Sequence, residues 1–240
     1  MRLFAALAIF QYHLWQNYLG VTIGFPGTDY FLVLVGVLAA MTQANRIGQG
    51  SWWGFMRARY VRLYVTFIPL FFLTLAFKWQ GADWSWIFKS FFLIPLADRG
   101  PVIGATWMLS HFLLFYWLFS ITYLFKRESV LWGVFSLWAM GVVAFNFLDW
   151  RPPMPFQYAQ TLFYERNLEF VVGYGAGGLL RQGRVTIPWG RGMFWVGTAG
   201  IVLSIILQNN GIGNAGRSFY AGIPVTLFVL GLVSLEQHGA

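Results

Sequence analysis

The chain contains no cysteine and little charge. Only 10% of its 240 residues are Asp, Glu, Lys or Arg, against about 25% in an average soluble domain. The absence of cysteine excludes disulfides, thiolate catalysis and cysteine-ligated metal sites, and it leaves the redox compartment open. The scarcity of charge excludes a water-soluble domain, because a soluble fold of this length needs more charge to cover its surface.

Apolar and aromatic residues take the place of the missing charge. Hydrophobic residues make up 58% of the chain and aromatic residues 20%, with 13 Trp and 11 Tyr that are typical of interfacial belts. This composition predicts an all-α, polytopic integral membrane protein. We expect about eight transmembrane helices, because apolar runs of sufficient length recur along the chain. They lie at approximately 3–21, 29–45, 60–78, 103–125, 129–148, 167–181, 191–208 and 219–236.

The stretch 84–97 is too short for a ninth span and is interrupted by Lys89 and Pro95. We expect it to form a short interfacial or re-entrant helix. No repeat or soluble segment separates one part of the chain from another, so residues 1–240 are predicted to form a single transmembrane domain.

The basic residues follow the expected topology. A net charge of +8 would suggest nucleic-acid binding in a soluble protein, but the positive-inside rule explains this charge more simply. We therefore expect the lipid bilayer as a partner, and no nucleic acid. Alternating sides places ten of the 16 basic residues inside and six outside, which favours two cytoplasmic termini. The six outer residues are Lys78, Lys89, Arg99, Arg151, Arg166 and Arg217.

Several ionisable residues interrupt the apolar segments. Arg2 and His13 are eleven residues apart, which is close to three helical turns, so they align on one stripe about 16 Å apart. Ionisable groups inside a spanning helix are costly and indicate functional sites. The predicted topology brings the following residues to one depth and suggests a polar cavity open to the outer face: His13, Asp29, His111, Glu165, Arg166 and Glu169.

Five segments carry a family resemblance, in order along the chain. They are Arg2, Ala5, Ala6 and His13 in the first helix, GTDYFLVLVG from Gly27 to Gly36, Arg59 and Arg62 in RARYVRLY, Trp107, Leu109, Ser110, His111, Phe115 and Tyr116 in TWMLSHFLLFY, and Glu169, Phe170 and Gly173 in NLEFVVGYGAG. Each motif is loose, but their order resembles that of the acyltransferase 3 family, whose members O-acylate glycans and lipid-linked sugars. The family usually continues for about two more helices, which we expect this chain to lack.

The resemblance implies a membrane O-acyltransferase of the bacterial inner membrane. It would move an acyl group, expected to be acetyl, from cytoplasmic acyl-CoA to a hydroxyl of an extracytoplasmic carbohydrate or glycolipid. Acetyl-CoA would be a co-substrate, and no cofactor is expected to be tightly bound. His13 would be the general base, because an imidazole with a pKa near about 6.5 can take a proton from a hydroxyl that attacks a thioester.

The same resemblance gives roles to three arginines. Arg2 is expected at the catalytic centre near the acyl donor, or else as an anchor that snorkels to cytoplasmic headgroups. Arg59 and Arg62, at positions i and i+3, would share a helical face and bind the phosphates of coenzyme A. The positive-inside rule alone would also place arginines there.

His111, Glu169 and Asp29 are the predicted acceptor-binding residues. His111 could also orient His13 or pack structurally. Asp29 could be a helix N-cap, and Glu169 could stabilise a helix dipole without binding a ligand. The three histidines of the chain have no metal-ligand spacing, so no metal site is expected.

Gly173, Gly175 and Gly178 satisfy a dinucleotide-binding pattern, but no strand precedes them, and the match carries little weight. Gly173 and Gly177 are better interpreted as a surface for close helix packing. A transporter or flippase with proton-relaying His and Glu residues is the alternative function. No inverted repeat supports it.

Overall fold

The computed structural model describes residues 27–47, 49–79, 81–96, 100–148, 150–210 and 216–239. Within these ranges the chain is helical and contains no strand. The α-helices are α1 Gly27–Thr42, α2 Trp52–Phe77, α3 Trp84–Phe91, α4 Trp107–Phe125, α5 Glu128–Phe147, α6 Phe156–Leu162, α7 Asn167–Arg181, α8 Ile187–Asn209 and α9 Ile223–Gln237. A π-turn at Ser218–Gly222 precedes α9, and short 3₁₀ turns lie at Ala44–Arg46 and Gly104–Thr106.

Five helical segments in this part of the chain are long and apolar enough to cross a membrane. They are Trp52–Phe77, Trp107–Phe125, Glu128–Phe147, Ile187–Gln208 and Ser218–Gln237. Many of their apolar side chains face outward, for example Val65 at 65% exposure and Leu137 at 67%. Large exposed apolar surfaces on helices that satisfy their own backbone hydrogen bonds suit a bilayer. The chain is therefore an integral membrane protein.

Seven of the eight predicted spans coincide with observed helices, one of them with a marked difference in length. Two of these helices, Gly27–Thr42 and Asn167–Arg181, are not among the five that are long and apolar enough to cross a membrane, so the count of eight spans is not confirmed. The expected helix at 3–21 lies outside the described residues. The span predicted at 60–78 begins eight residues earlier, at Trp52, where the Ser51 hydroxyl accepts a hydrogen bond from the Gly54 N–H and caps the helix. The polar turns that carry Arg57 and Arg59 are thus helical, although they lie before the predicted span.

The stretch predicted at 84–97 is a helix only over Trp84–Phe91. Asp83 caps its start by accepting from the Trp86 N–H at 2.7 Å, and the chain leaves it through Leu93, whose φ of 56° is left-handed. A non-glycine residue in this conformation costs about 1–2 kcal/mol, so the surrounding contacts hold the turn in place. Helix α6 was not predicted from the sequence.

One compact unit contains described residues from 27–45 and 165–239, with helices α1, α7, α8 and α9. Its core contains Tyr30, Val33 and Val37 from α1, together with Leu180 from α7 and Val229 from α9. Apolar burial on shared helix faces accounts for this packing.

Glycines allow α1 and α7 to approach closely. A Cβ added at Gly177 would lie 2.6 Å from the Val37 carbonyl oxygen and 2.8 Å from Ala40 Cβ, and one added at Gly36 would lie 2.7 Å from the Tyr174 nitrogen. The predicted packing surface of Gly173 and Gly177 is confirmed, since Gly173 is held equally close to the backbone of α1.

The other compact unit, residues 46–164, contains α2 to α6. Helices α2 and α4 run antiparallel: Trp52 Nε1 donates to Ser120 Oγ at 2.9 Å near one end, and Lys78 Nζ donates to the Val102 carbonyl at 2.9 Å near the other. An apolar cluster between them contains Phe67, Phe71, Leu75, Trp86, Leu93, Val102 and Leu113. These contacts place the start of α4 beside the loop that follows α3.

Candidate functional site

Five charged residues of the first unit form a buried charge cluster, which we define as Asp29, Glu165, Arg166, Glu169 and Arg217. Each has an exposed fraction of 8% or less. Burial of so many ionisable groups is expensive unless they pair with one another.

Asp29 is the centre of this cluster. It lies in the first turn of α1, and Arg217 binds its carboxylate with two hydrogen bonds, from Nε to Oδ1 at 3.2 Å and from Nη2 to Oδ2 at 3.0 Å. Arg166 Nε lies 4.0 Å from Oδ1. The interpretation of Asp29 as an N-cap is wrong. Asp29 is already a residue of the helix, in its first turn, and its side chain binds arginine. The bidentate geometry is the strong form of this interaction.

Glu165 and Glu169 receive hydrogen bonds from the segment around the π-turn. The Gly216 N–H donates to Glu165 Oε2 at 3.0 Å, and the Ser218 hydroxyl donates to Glu169 Oε1 at 3.3 Å. The Ser204 hydroxyl of α8 bonds to the Tyr220 carbonyl inside the π-turn. π-Turns are frequent at functional sites, and this one presents Ser218 to Glu169.

Burial raises the pKa of Glu165 above its usual value. The backbone N–H groups of Gly216 and Arg217 and the nearby Arg166 oppose the shift but do not cancel it. Desolvation thus outweighs hydrogen bonding at this carboxyl group.

The structure brings together part of the predicted polar cavity. Asp29, Glu165, Arg166 and Glu169 converge as the sequence predicted, but they meet in a buried cluster. Their partner Arg217 was missed as a site residue, since the sequence placed it among the outer loop charges. One signal could have identified Arg217. It lies directly before an apolar span, and Asp29, an acidic residue within another apolar helix, needs a partner of opposite charge.

His111 lines a separate cavity, in the second unit. Its ring is 5% exposed, and its centroid lies 5.5 Å from that of Trp107 at 83° and 5.4 Å from that of Tyr164 at 41°. This aromatic packing fits the structural interpretation of His111. The ring also borders a cavity of about 420 Å³ between α4, α6 and the loop after α3. A binding role therefore stays a prediction.

Hydroxyl groups hold the walls of this cavity, which we call the His111 cavity. Ser110 Oγ donates to the carbonyl of Leu93 at 2.8 Å, which supports the left-handed turn after α3. Ser90 Oγ accepts from the Val102 N–H at 3.2 Å, and Trp86 Nε1 donates to the Gly100 carbonyl at 2.9 Å. Specific hydrogen bonds thus fix the described part of the loop beside the cavity.

Arg59 and Arg62 border a second cavity of about 360 Å³, the arginine cavity, which has mostly apolar walls. The guanidinium carbon of Arg59 lies 5.1 Å from the Phe55 ring centroid and 5.3 Å from that of Tyr116. Such cation–π contacts orient the group. The shared helical face of the two arginines is confirmed, and their role in phosphate binding stays a prediction.

Thr106, at the start of α4, lines both cavities. The arginine cavity extends along α2 from Arg59 to Leu70, eleven residues or about 16 Å of helix. All residues that line the two cavities belong to the same unit.

Arg2 and His13, the predicted catalytic pair, lie outside the described residues. No group of three or more His, Asp or Glu side chains could hold a metal ion in the part of the chain that the structure describes.

Comparison with protein families identifies the class of protein. A family model described as an acyltransferase domain, that of the acyltransferase 3 family, matches residues 1–238. The chain therefore belongs to this family, as its motifs suggested. Neither a curated protein nor a solved structure matches the chain.

Proposed function

We propose that the chain is a membrane-bound O-acyltransferase that moves an acyl group, expected to be acetyl, from cytoplasmic acyl-CoA to a hydroxyl of an extracytoplasmic carbohydrate or glycolipid. Family membership supports acyl transfer. The observation that carries the rest is that the arginine cavity and the His111 cavity share a lining residue, Thr106, at the start of α4. A donor and an acceptor can then enter from opposite ends of α4.

The arginine cavity suits the donor. Coenzyme A has phosphates and a long arm that ends in a thioester, and this cavity has two guanidinium groups at one end and apolar walls beyond them. Arg59 and Arg62 would bind the phosphates, because guanidinium groups match phosphate geometry. The thioester would then point along α2 toward Thr106.

The chemistry needs one base. As the acceptor hydroxyl oxygen attacks the thioester carbonyl carbon, the imidazole of His13 takes the hydroxyl proton. A new C–O bond forms, the C–S bond breaks, and the thiolate of coenzyme A leaves and takes the proton from the imidazolium. The role of His13 rests on the family resemblance, and Arg2 would support the donor on the same helix.

Transfer of label from radioactive acetyl-CoA to glycan in membrane vesicles tests this function. The wild-type chain is expected to transfer label, and His13→Ala is expected to lose at least 100-fold, in line with the contribution of a general base. Folding of the variant is checked by its thermal unfolding, with His238→Ala, at an exposed position directly after α9, as the matched control.

Transfer that survives His13→Ala overturns the mechanism, and absence of transfer by the wild type overturns the function. Uptake of a solute without acyl transfer would instead favour the transporter alternative. Substitution of both Arg59 and Arg62 by Gln is expected to raise the KM for acetyl-CoA and to leave the KM for the acceptor unchanged.

A further inference from the structure

Helix α6 presents two glutamine side chains to the His111 cavity. Gln157 and Gln160 both line it, together with Thr161. They are three residues apart and therefore share one face of the helix. This helix carries few apolar anchors, since Ala159 is its one fully buried residue, and its polar face is the one turned to the cavity.

The carboxamides are suited to bind a ligand. Within α6, Gln157 accepts a hydrogen bond from the Thr161 hydroxyl at 3.0 Å with its backbone carbonyl, and this bond does not involve its side-chain amide. Each carboxamide offers two N–H donors and an oxygen acceptor. Two of them on adjacent turns can hydrogen-bond to neighbouring hydroxyl groups, which both donate and accept.

An aromatic ring completes the site. Trp107 also lines the cavity and is 37% exposed, while its edge-on contact with His111 fixes its orientation. Indole rings combine a large apolar face with a rigid position, which suits the C–H face of a sugar ring. No Lys, Arg, Asp or Glu side chain is among the described residues around the cavity.

The size of the cavity limits the ligand. At about 420 Å³ it lies toward the low end of the range of roughly 300–1,000 Å³ for small-molecule sites. A single sugar residue of a larger glycan suits that space better than an extended chain does.

We infer that Gln157 and Gln160 are the specificity-determining residues of the acceptor site, where they hydrogen-bond to adjacent hydroxyls of a sugar ring that rests on Trp107. This inference rests on the proposed acyl transfer and adds the residues that choose the acceptor. Sites built to hydrogen-bond a hydroxyl discriminate strongly against ligands that lack it.

The test uses full-length protein in nanodiscs with labelled acetyl-CoA. The acceptor is the glycolipid fraction extracted from the membranes in which the wild-type chain transfers label. Gln157→Ala and Gln160→Ala are each expected to raise the KM for this acceptor about 3- to 10-fold, the effect of one uncharged hydrogen bond. The kcat and the KM for acetyl-CoA are expected to stay within twofold of the wild-type values.

Two further variants separate recognition from structure. Gln160→Glu keeps the shape of the side chain but loses its donors, and it is expected to raise the acceptor KM as Gln160→Ala does. Gln237→Ala, at an exposed position at the end of α9, is the matched control and is expected to change nothing. Thermal unfolding confirms that each variant folds.

Each outcome decides one proposal. If the wild type transfers no label, the proposed function fails. If the wild type transfers label and the glutamine variants keep their acceptor KM, acyl transfer stands and the assignment of Gln157 and Gln160 is wrong. A fall in kcat with unchanged KM would also contradict a role in acceptor recognition.

Discussion

Pairing with Arg217 explains how the carboxylate of Asp29 can be fully buried in an apolar helix. Removing an ion from water costs several kcal/mol even after the protein relaxes. Two charge-assisted hydrogen bonds, at 3.2 and 3.0 Å, offset that cost. Since Asp29 and Arg217 are 188 residues apart in sequence, their interaction joins the start of α1 to the segment before α9.

Breaking this pair is expected to destabilise the chain severely. Asp29→Asn or Arg217→Gln leaves one buried charge without its partner, which costs about 3–5 kcal/mol. Thermal unfolding in detergent measures the loss. The double variant is expected to recover part of the stability, because both charges of this pair are removed together. Exposed Arg184→Gln is the control. Additive effects of the two single substitutions would contradict this coupling.

Glu165 gives the cluster a dependence on pH. Its folded-state pKa is raised by burial above the usual 4.5, so the folded chain binds a proton more tightly there than the unfolded chain. This stabilisation is fully present below about 4.5 and is lost as the pH rises through the folded-state pKa. Unfolding temperatures from pH 4.5 to 7 are therefore expected to fall more for the wild type than for Glu165→Gln, which still accepts from Gly216. Parallel curves would contradict the assignment.

At the level of single residues, the sequence predicts which groups are unusual better than it predicts their partners. Asp29, Glu169 and His111 stand out because ionisable side chains are rare in apolar segments. Arg217 does not stand out, because an arginine beside a span fits the positive-inside rule equally well. Only the fold brings it to Asp29. Gln157 and Gln160 were missed for another reason, since uncharged amides in a short polar stretch give no signal.

At the level of helices, close packing of α1 against α7 depends on small residues at defined positions. The matched pair Gly177→Ala and Gly178→Ala tests this dependence. An added Cβ at Gly177 meets the Val37 carbonyl and Ala40, whereas one at Gly178 meets nothing within 4 Å. We expect Gly177→Ala to cost about 1–3 kcal/mol through overpacking. Gly178→Ala is expected to be neutral or slightly stabilising, because alanine favours helix more than glycine does.

Thermal unfolding of the two variants under identical conditions measures this difference. Equal stability would mean that α7 can move away from α1 without loss, which would contradict close packing at Gly177.

Helix positions were predictable where apolar runs were long. The spans predicted at 129–148 and 167–181 lie within one residue of α5 and α7. Hydropathy failed at the start of α2, because capping by Ser51 extends the helix through turns that contain arginine. It failed at α6 because seven residues with two glutamines form no apolar run. Tertiary contacts, rather than local hydrophobicity, determine both.

At the level of the whole molecule, buried arginines change the charge balance that predicts orientation. Of the six basic residues assigned to the outer side, Arg166 and Arg217 are buried beside Asp29. They do not act as free loop charges, which leaves four outer residues against ten inner ones. If the predicted topology holds, the bias toward two cytoplasmic termini is stronger than the sequence count indicates.

The lack of cysteine makes this orientation directly testable. Ser85→Cys on α3 and Ser129→Cys on α5 each place one thiol at an exposed serine position, and the wild-type chain gives no background labelling. With cytoplasmic termini, a membrane-impermeant maleimide is expected to label Ser85→Cys in intact cells and Ser129→Cys only in inverted vesicles. A permeant maleimide labels both and shows that both thiols react.

The reversed pattern would invert the orientation and place Arg59 and Arg62 on the side without coenzyme A. Labelling of both from one side would mean that α4 does not cross the membrane, and the proposed entry of donor and acceptor from its opposite ends would then be wrong.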